Sequence, residues 1–319
     1  MTGTPPTAGS GRTLIVLNPH AGGGRAGKLW TEIEPLLWQE LGELVIAVTQ
    51  RAADVAEHLD KAYAAGVRRV VSIGGDGTNH ALVNALAAMR ARGGADFEPV
   101  EYGILPIGTG RDWARGSGLP LHSLREAASW IARARPRPVD LGLLTLDAGD
   151  GAPDQREYFL NIASVGLSGA VTEYVNSRRA RRPWTFLEAT VVTLLRMRPP
   201  AVQLRVDDQD WYEGRAFLVA VANGTTFGHG MRIAPDAQTG DGLFDIVLVK
   251  QAPLASILMA LRRVYTGTHV THPAVRITRG RTVSIRGVDG PLGAELDGES
   301  ARGSRLTFSV QPGALHMLV

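Results

Sequence analysis

The chain has 319 residues, enough for two domains with sizeable cores, and its 44% hydrophobic and 20% charged content is that of a soluble globular protein. Lys+Arg 34 against Asp+Glu 31 leaves +3, too mild a balance to argue for a nucleic-acid partner. The absence of cysteine excludes disulfides, thiol nucleophiles and cysteine-based zinc sites, and is compatible with a reducing cytoplasm.

Residues 1–12, MTGTPPTAGSGR, are small and polar and read as a disordered tail. No basic segment followed by a long apolar run is present, so no signal peptide is expected. No apolar stretch reaches the length of a membrane span; the best, residues 185–197, carries Glu188 and Arg196. A first buried strand over residues 14–17 runs into Asn18, Pro19, His20 and the glycines Gly22, Gly23, Gly24 and Gly27. Gly22, Gly24 and Gly27 fit the dinucleotide spacing, and Gly22 with Gly27 and Lys28 fits most of an NTPase phosphate loop. The second match fails at Leu29, where a hydroxyl should hold Mg²⁺, so linker turn and phosphate cradle both stay open here. Residues 29–41 read as an amphipathic helix broken at Pro35, residues 44–49 as a strand and residues 54–65 as a helix. Strand, helix, strand, helix at short spacing predicts a parallel sheet with helices on both faces.

The third strand, with Val70, Val71 and Ile73, opens the most informative stretch. Gly74, Gly75, Asp76, Gly77 and Thr78 follow it, and Ala81, Leu82, Ala85, Leu86 and Met89 then recur at helical period. Glycines let backbone N–H groups face one point, and a helix N-terminus adds partial positive charge, which together make an anion site. An acid inside it would repel a lone phosphate, so Asp76 points to a cation carried with the phosphate, most simply Mg²⁺ on a nucleotide. The plainer alternative is a glycine turn with an aspartate cap. A fourth strand, residues 102–106, ends in Ile107, Gly108, Thr109, Gly110, Arg111 and Asp112, again a glycine turn and an acid at the same sheet edge. A helix is predicted over 124–133, and the Pro-Arg-Pro stretch 136–138 breaks the pattern.

From residue 139 strand signals dominate, at 141–146, 158–165, 202–206, 215–221, 244–249, 275–278, 282–285, 305–310 and 315–319. Their Asp-Gly turns predict an antiparallel β-sandwich. Two helices interrupt it. One, over 176–198, starts with Arg178, Arg179, Arg181 and Arg182 and carries Trp184, Phe186 and Leu187; the other, over 255–265, carries Arg262 and Arg263. Such basic amphipathic helices either cover a sheet or lie on an anionic membrane.

Five blocks now stand in order: Asn18-Pro19 with its glycines, residues 74–78, residues 105–110, Asp241-Gly242-Leu243-Phe244-Asp245, and Asp297-Gly298-Glu299. Together they resemble the diacylglycerol kinase catalytic family, the bacterial lipid kinases of the YegS and DgkB type, with sphingosine kinases and NAD kinases more distant. The resemblance covers nearly all of the chain after the tail. It implies a Rossmann-like, three-layer α/β nucleotide-binding domain (13–138), an antiparallel β-sandwich domain (139–306) and a return of the last strand (307–319) to the first, with the site in the cleft between. It implies that Asn18, Pro19, His20, Ala21, Gly22, Thr49, Gly74, Gly75, Asp76, Gly77, Thr78, Asn79, His80, Ala81 and Thr109 belong to the ATP site. It further implies that Asp76, Asp112, Asp140 and Asp241 form a water-linked magnesium network, with Gln238 and the Leu243 carbonyl near the metal.

Asp297 and Glu299 would be the acids at the acceptor hydroxyl, the choice of base being left open. An alcohol acceptor benefits from a carboxylate that takes its proton, and in an extended segment both acids would face one side. A plain hairpin turn is the alternative for Asp297-Gly298. Arg111 stands where many relatives carry Asn, and Asn79-His80-Ala81 replaces a Leu-Asn-Glu type run, removing an acid at Ala81. The expectation is an ATP- and Mg²⁺-dependent lipid kinase, cytoplasmic and peripherally membrane-associated, acting on a lipid alcohol, able to dimerise and without a nucleic-acid partner. It places Asp76, Asp241 and Glu299 around one cavity. The rivals are an NAD kinase-like or other dinucleotide enzyme and a catalytically silent lipid- or nucleotide-binding regulator.

Overall fold

The computed structural model describes residues 11–107, 111–147, 154–176 and 185–319. Its first half alternates β1 (Thr13–Leu17), α1 (Ala21–Leu41), β2 (Leu44–Val48), α2 (Ala52–Ala64), β3 (Arg69–Gly74), α3 (Asp76–Gly93) and β4 (Glu101–Pro106), followed by α4 (Asp112–Gly116) and α5 (Leu124–Arg133). The strands are parallel in the order β2-β1-β3-β4. Strand alternation explains the layering. Leu14 and Val16 of β1 pack with Leu59 of α2 and Leu86 of α3, whereas Ile15 and Leu17 pack with Leu37 of α1 and Ile131 of α5. Each central strand is therefore buried on both faces, and its loops all open at the carboxyl edge.

The second half comprises β5 (Pro136–Leu146), β6 (Gln155–Phe159), β7 (Ile162–Gly166), α6 (Leu167–Asn176), α7 (Thr185–Arg196), β8 (Ala201–Val206), β9 (Gln209–Ala222), β10 (Phe244–Lys250), α8 (Leu254–Val264), β11 (Val275–Gly280), β12 (Thr282–Gly287), β13 (Leu292–Leu296), β14 (Glu299–Gly303) and β15 (Arg305–Leu318). One sheet runs β6-β5-β15-β12-β8-β9 and the other β11-β10-β9-β7-β13-β14. β9 serves both. Phe159, Phe244 and Phe308 fill the space between them, Phe159 stacking on Phe244 at 5.8 Å and meeting Phe308 edge-on at 6.2 Å. β15 ties the halves: its start pairs with β12, its end pairs with β4, and its other edge follows β5 across a bulge at 311–315.

Several local expectations change. α1 passes through Pro35, whose position on the exposed face leaves the freed carbonyl to water. The irregularity lies instead at Gly22, Gly23 and Gly24, all at positive φ. Gly22 also approaches so closely that a Cβ would stand 2.9 Å from the Ile107 carbonyl oxygen. Residues 136–138 begin β5 rather than break a pattern, because that part of the strand pairs only with β15 and proline is tolerated on an open edge. The strand expected over 158–165 divides into β6 and β7, and the two expected over 305–310 and 315–319 are one continuous strand, β15. The helix expected over 176–198 becomes α6, which starts earlier, and α7; Arg178, Arg179, Arg181, Arg182 and Trp184 lie outside the described residues. β13 and β14 went unrecognised because LGAEL and ESARG carry no β-branched run.

Gly142 faces Phe159 across the β5–β6 ladder, and a Cβ there would lie 2.0 Å from the ring. Gly142→Ala is expected to lower stability by about 1–3 kcal/mol, as overpacking does. Urea unfolding checks this, and an unchanged midpoint would contradict the packing described.

Candidate active site

The loops after β1 and β3 meet at the start of α3. Asn18 donates from its backbone to the Ile73 carbonyl (3.0 Å) and from its side-chain amide to Thr78 Oγ1 (3.2 Å). Thr49 N–H donates to the Leu17 carbonyl (2.8 Å). Gly74 has to be glycine, since a Cβ would stand 2.5 Å from Thr78 Oγ1. These contacts shape an open cavity of about 630 Å³ lined by Asn18, Ala21, Thr49, Gly75, Gly77, Thr78 and Ala81, with Arg51 and Glu299 at its wall. The other described residues expected at a nucleotide are not part of its lining. Pro19 accepts from Gly27 N–H, His20 is exposed beside Asn18, and Gly22 abuts Ile107. Asn79 turns away from the cavity, its Oδ1 accepting from Ser72 Oγ (2.7 Å) and Tyr102 OH (3.1 Å) beneath the loop. Its expected nucleotide contact is thus replaced by a buried network, in which desolvation raises the Tyr102 phenol above its ordinary range. Thr109 lies outside the described residues.

Asp297 and Glu299 do not face one side. Asp297 and Gly298 take positive φ (49° and 101°) in the tight turn between β13 and β14. Asp297 Oδ2 accepts from Leu160 N–H (2.6 Å), and its Oδ1 from Asn161 N–H (3.1 Å) and Ile162 N–H (3.0 Å). That grip is what separates β6 from β7. Glu299 leaves the turn the other way: its Oε1 lies 3.2 Å from where a Cβ on Gly77 would be, at the N-terminus of α3. The hairpin alternative therefore describes the local backbone, and only Glu299 reaches the cavity. His80, expected at the nucleotide, bridges instead toward β6: its Nε2 lies 2.8 Å from Glu157 Oε1, and it does not line the cavity. Burial opposes its protonation, but the Glu157 hydrogen bond and the charges of Asp297 and Glu299 outweigh it and raise the imidazole.

The acids form two separate groups. Asp112 and Asp297 each repel Asp76 at the cleft, with Arg115 as a neighbouring cation. Asp76 keeps solvent contact at the cleft mouth while protein surrounds it on its other sides. Desolvation, then Asp112 and Asp297, push its carboxyl up to about 7. Asp112 is raised by burial although Arg115 Nη1 (2.9 Å) and the N–H groups of His229 (3.0 Å) and Gly230 (2.9 Å) all donate to it, which fastens α4 to the 225–231 loop. Asp140 and Asp241 stand elsewhere. Asp140 Oδ2 accepts from Gly242 N–H (2.7 Å) and Oδ1 from Gly313 N–H (2.8 Å), closing loop 239–243 onto the β15 bulge. Asp241 accepts from Leu243 N–H (3.1 Å) and from the Arg279 guanidinium, which the β10–β11 register sets opposite Asp245. Gln238 is exposed beside them.

Of Asp76, Asp241 and Glu299, expected around one cavity, Glu299 alone lines it; Asp76 stands beside the turn that carries Glu299, and Asp241 is taken up by Arg279 and a backbone N–H. Among the described residues, no three His, Asp or Glu side chains converge as a ready ligand set. Asp112 is as fully engaged as Asp241, its oxygens taken by Arg115 and by the N–H groups of His229 and Gly230, so of the expected magnesium residues Asp76 fits a divalent cation best, and Asp112, Gln238, Asp241 and Leu243 fit poorly. Sequence reading passed over Glu295, fully buried behind the turn with its acid raised to about 7 by burial and by Asp297 and Asp76. An acid two residues before Asp297 was visible, but its strand was not.

A second cavity, about 740 Å³, lies under α6, α7 and α8 against β9, β10 and the start of β11 and is walled by Leu167, Val171, Leu194, Phe217, Ile257 and Val264. No helix among the described residues is long and apolar enough to cross a membrane.

Residues 12–144 match the model of the diacylglycerol kinase catalytic domain, and residues 161–319 match that of the YegS C-terminal NAD kinase beta sandwich-like domain. The chain is 30% identical over 280 residues to a probable lipid kinase YegS-like protein of Pseudomonas putida, covering 86% of this chain and 84% of that one. It is 26% identical over 310 residues to diacylglycerol kinase of Bacillus subtilis, covering 94% and 96%. A crystal structure of a Bacillus anthracis protein assigned as a diacylglycerol kinase superposes with a TM-score of 0.73 at 25% identity, covering 97% of this chain and 96% of that one.

The raised Asp76 acid carries a sign. In the window between its ordinary value and about 7 the folded chain binds more protons there than the unfolded chain, so this group's contribution to stability is lost as pH rises. In metal-free buffer, Asp76→Asn is expected to gain stability over the native chain, and to gain more at pH 8 than at pH 5. Thermal melts at both pH values check it, and a gain that shrinks with pH would contradict the crowding described.

Proposed function

The chain belongs to the diacylglycerol kinase-like lipid kinase family, and on that premise we propose that it transfers the γ-phosphate of ATP to the hydroxyl of a membrane lipid, with Glu299 as the general base. The observation that carries this reading is the placement of Glu299 against the N-terminus of α3, at the wall of a cavity whose other residues suit a nucleotide. Backbone N–H groups at the start of α3 are suited to hold phosphate oxygens, and Asn18 and Thr49 border the space a nucleoside would fill. Phosphoryl transfer rests on alignment and charge neutralisation more than on covalent help. Mg²⁺, when bound at Asp76, would neutralise the charge of the triphosphate. Glu299 accepts the proton of the lipid hydroxyl as its oxygen bonds to the γ-phosphorus and the bond to the β-phosphate oxygen breaks, releasing ADP. Asp297, with its oxygens on three backbone N–H groups, positions the turn and takes no proton in this scheme.

The apolar cavity supports a lipid acceptor over the dinucleotide alternative, which would have no use for a wall of leucine, valine and phenylalanine. Its cover also suits a membrane. Met259 of α8 and Leu195 of α7 are 69% and 59% exposed, and Arg196, Arg198 and Arg262 are exposed nearby on the same two helices and the turn that follows α7. Apolar and basic side chains together favour an anionic bilayer surface, from which an acyl chain could pass under α8.

Glu299→Gln is expected to cut lipid phosphorylation by roughly 10²–10⁴-fold, the usual worth of a general base, while ATP affinity stays within about threefold. Steady-state transfer from labelled ATP to a lipid extract, with ATP binding measured separately, checks both; undiminished turnover would refute the assignment. Met259→Glu is expected to reduce sedimentation with anionic vesicles and turnover on them, while turnover in detergent micelles persists. Equal binding of both proteins to the vesicles would remove the membrane face.

A further inference from the structure

The transfer scheme has no use for Glu295, yet this buried acid is wired to the apolar cavity. Its Oε1 accepts from Gly298 N–H, inside the turn that carries Glu299. Its Oε2 lies 3.0 Å from Ser164 Oγ on β7, and Ser164 Oγ lies 2.6 Å from Ser168 Oγ in the first turn of α6. Ser168 lines the cavity. All three side chains are buried. A file of hydrogen-bonded groups therefore runs from the residue next to Glu299 to the cavity wall. The backbone is shaped to hold it: Gly166 turns β7 into α6 at φ 99°, and Gly169 lets α6 close on β13, where a Cβ would stand 3.2 Å from the Gly293 carbonyl carbon. β13 is the strand that carries Glu295.

The direction of the file follows from proton counting. A hydroxyl has one proton, so Ser164 donates to only one of its two neighbours. Burial and the charges of Asp297 and Asp76 favour neutral Glu295; His80, the facing cation on α3, acts on Asp297. The neutral acid donates to Ser164, Ser164 donates to Ser168, and the Ser168 proton is left for whatever occupies the cavity. The described cavity wall holds no Asp or Glu, and burial lowers His269, its histidine with a buried ring nitrogen. The wall therefore offers a donor in apolar surroundings and no anion.

We propose that Ser168 is the polar anchor of the lipid acceptor, donating through the file of Ser164 and Glu295 to an ester carbonyl beside the free hydroxyl, and so selecting ester-linked glycerolipids over long-chain amino alcohols. An ammonium group would meet a donor with no carboxylate to pair with. The proposal rests on the lipid-kinase reading for its ligand class, but it concerns binding and is measurable without turnover.

The test is equilibrium binding, in nonionic micelles, of a diacylglycerol, the matching diether glycerol without carbonyls, and a long-chain amino alcohol. The native chain is expected to prefer the diacylglycerol over both. Ser168→Ala should weaken diacylglycerol binding by about tenfold, the upper range for one neutral hydrogen bond, and leave the diether unchanged; Ser168→Thr should restore it. Glu295→Gln, whose amide still donates to Ser164, should bind diacylglycerol more tightly than Glu295→Leu. In turnover the Ser168→Ala loss should fall on the KM for diacylglycerol, not on kcat or the KM for ATP. Native affinity in Ser168→Ala, equal weakening for ester and ether, or no diacylglycerol binding by the native chain would each overturn the proposal. Ser168-dependent binding without phosphate transfer would uphold the anchor and defeat the kinase reading instead.

Discussion

The carboxylate of Asp297 accepting three successive backbone N–H groups, from residues 160 to 162, is the contact on which the site depends. Charged acceptors for backbone donors are among the stronger hydrogen bonds in proteins. Here they satisfy the donors of a strand break and, in the same stroke, fix the β13–β14 turn against it. The left-handed backbone at Asp297 and Gly298 then sends Glu299 toward the start of α3. The helix N-terminus favours a carboxylate such as Glu299, while the acids behind it lie close together. Burial raises the carboxyls of Asp76, Asp112, Asp297 and Glu295, and neighbouring acids add to it at Asp76 and Glu295.

The two halves keep this arrangement because they share strands and not merely a surface. β15 pairs with β12 at one end and β4 at the other, and β5 runs beside it throughout. Asp112 fastens α4 to the 225–231 loop, and Asp140 fastens the 239–243 loop to the β15 bulge. Acids that the family resemblance assigns to one magnesium network thus also act as clamps, spending their oxygens on backbone N–H groups. The hydrogen-bonded file through Glu295, Ser164 and Ser168 links the turn that delivers Glu299 to the proposed lipid cavity.

The strands of the α/β half were legible because β1 and β3 are short β-branched runs buried on both faces and β2 and β4 are short apolar runs beside them, and the glycine blocks after β1, β3 and β4 marked the cleft. The sandwich was legible in outline, from the density of strands and Asp-Gly turns, and the site largely through the five ordered blocks. What escaped reading depended on distant partners. Nothing near Asp297 announces that residues 160–162 will take its oxygens, and an extended reading of Asp297-Gly298-Glu299 fails on that contact alone. Asn79 turns inward because Ser72 and Tyr102 are waiting for it. Asp241 meets Arg279 because of the β10–β11 register. Pro35 and the prolines at 136 and 138 are tolerated because one faces water and the others an open sheet edge, neither of which a local pattern reveals.

The central claim is a division of labour: Glu299 reacts and Asp297 holds it in place. Chemical rescue separates the two most directly. Each acid is replaced by alanine, and lipid phosphorylation is followed as formate is added. The account predicts that formate restores a measurable fraction of turnover to Glu299→Ala, where a small carboxylate can stand in for the missing base, and none to Asp297→Ala, where the turn itself is lost. Rescue of Asp297→Ala with none of Glu299→Ala would contradict it.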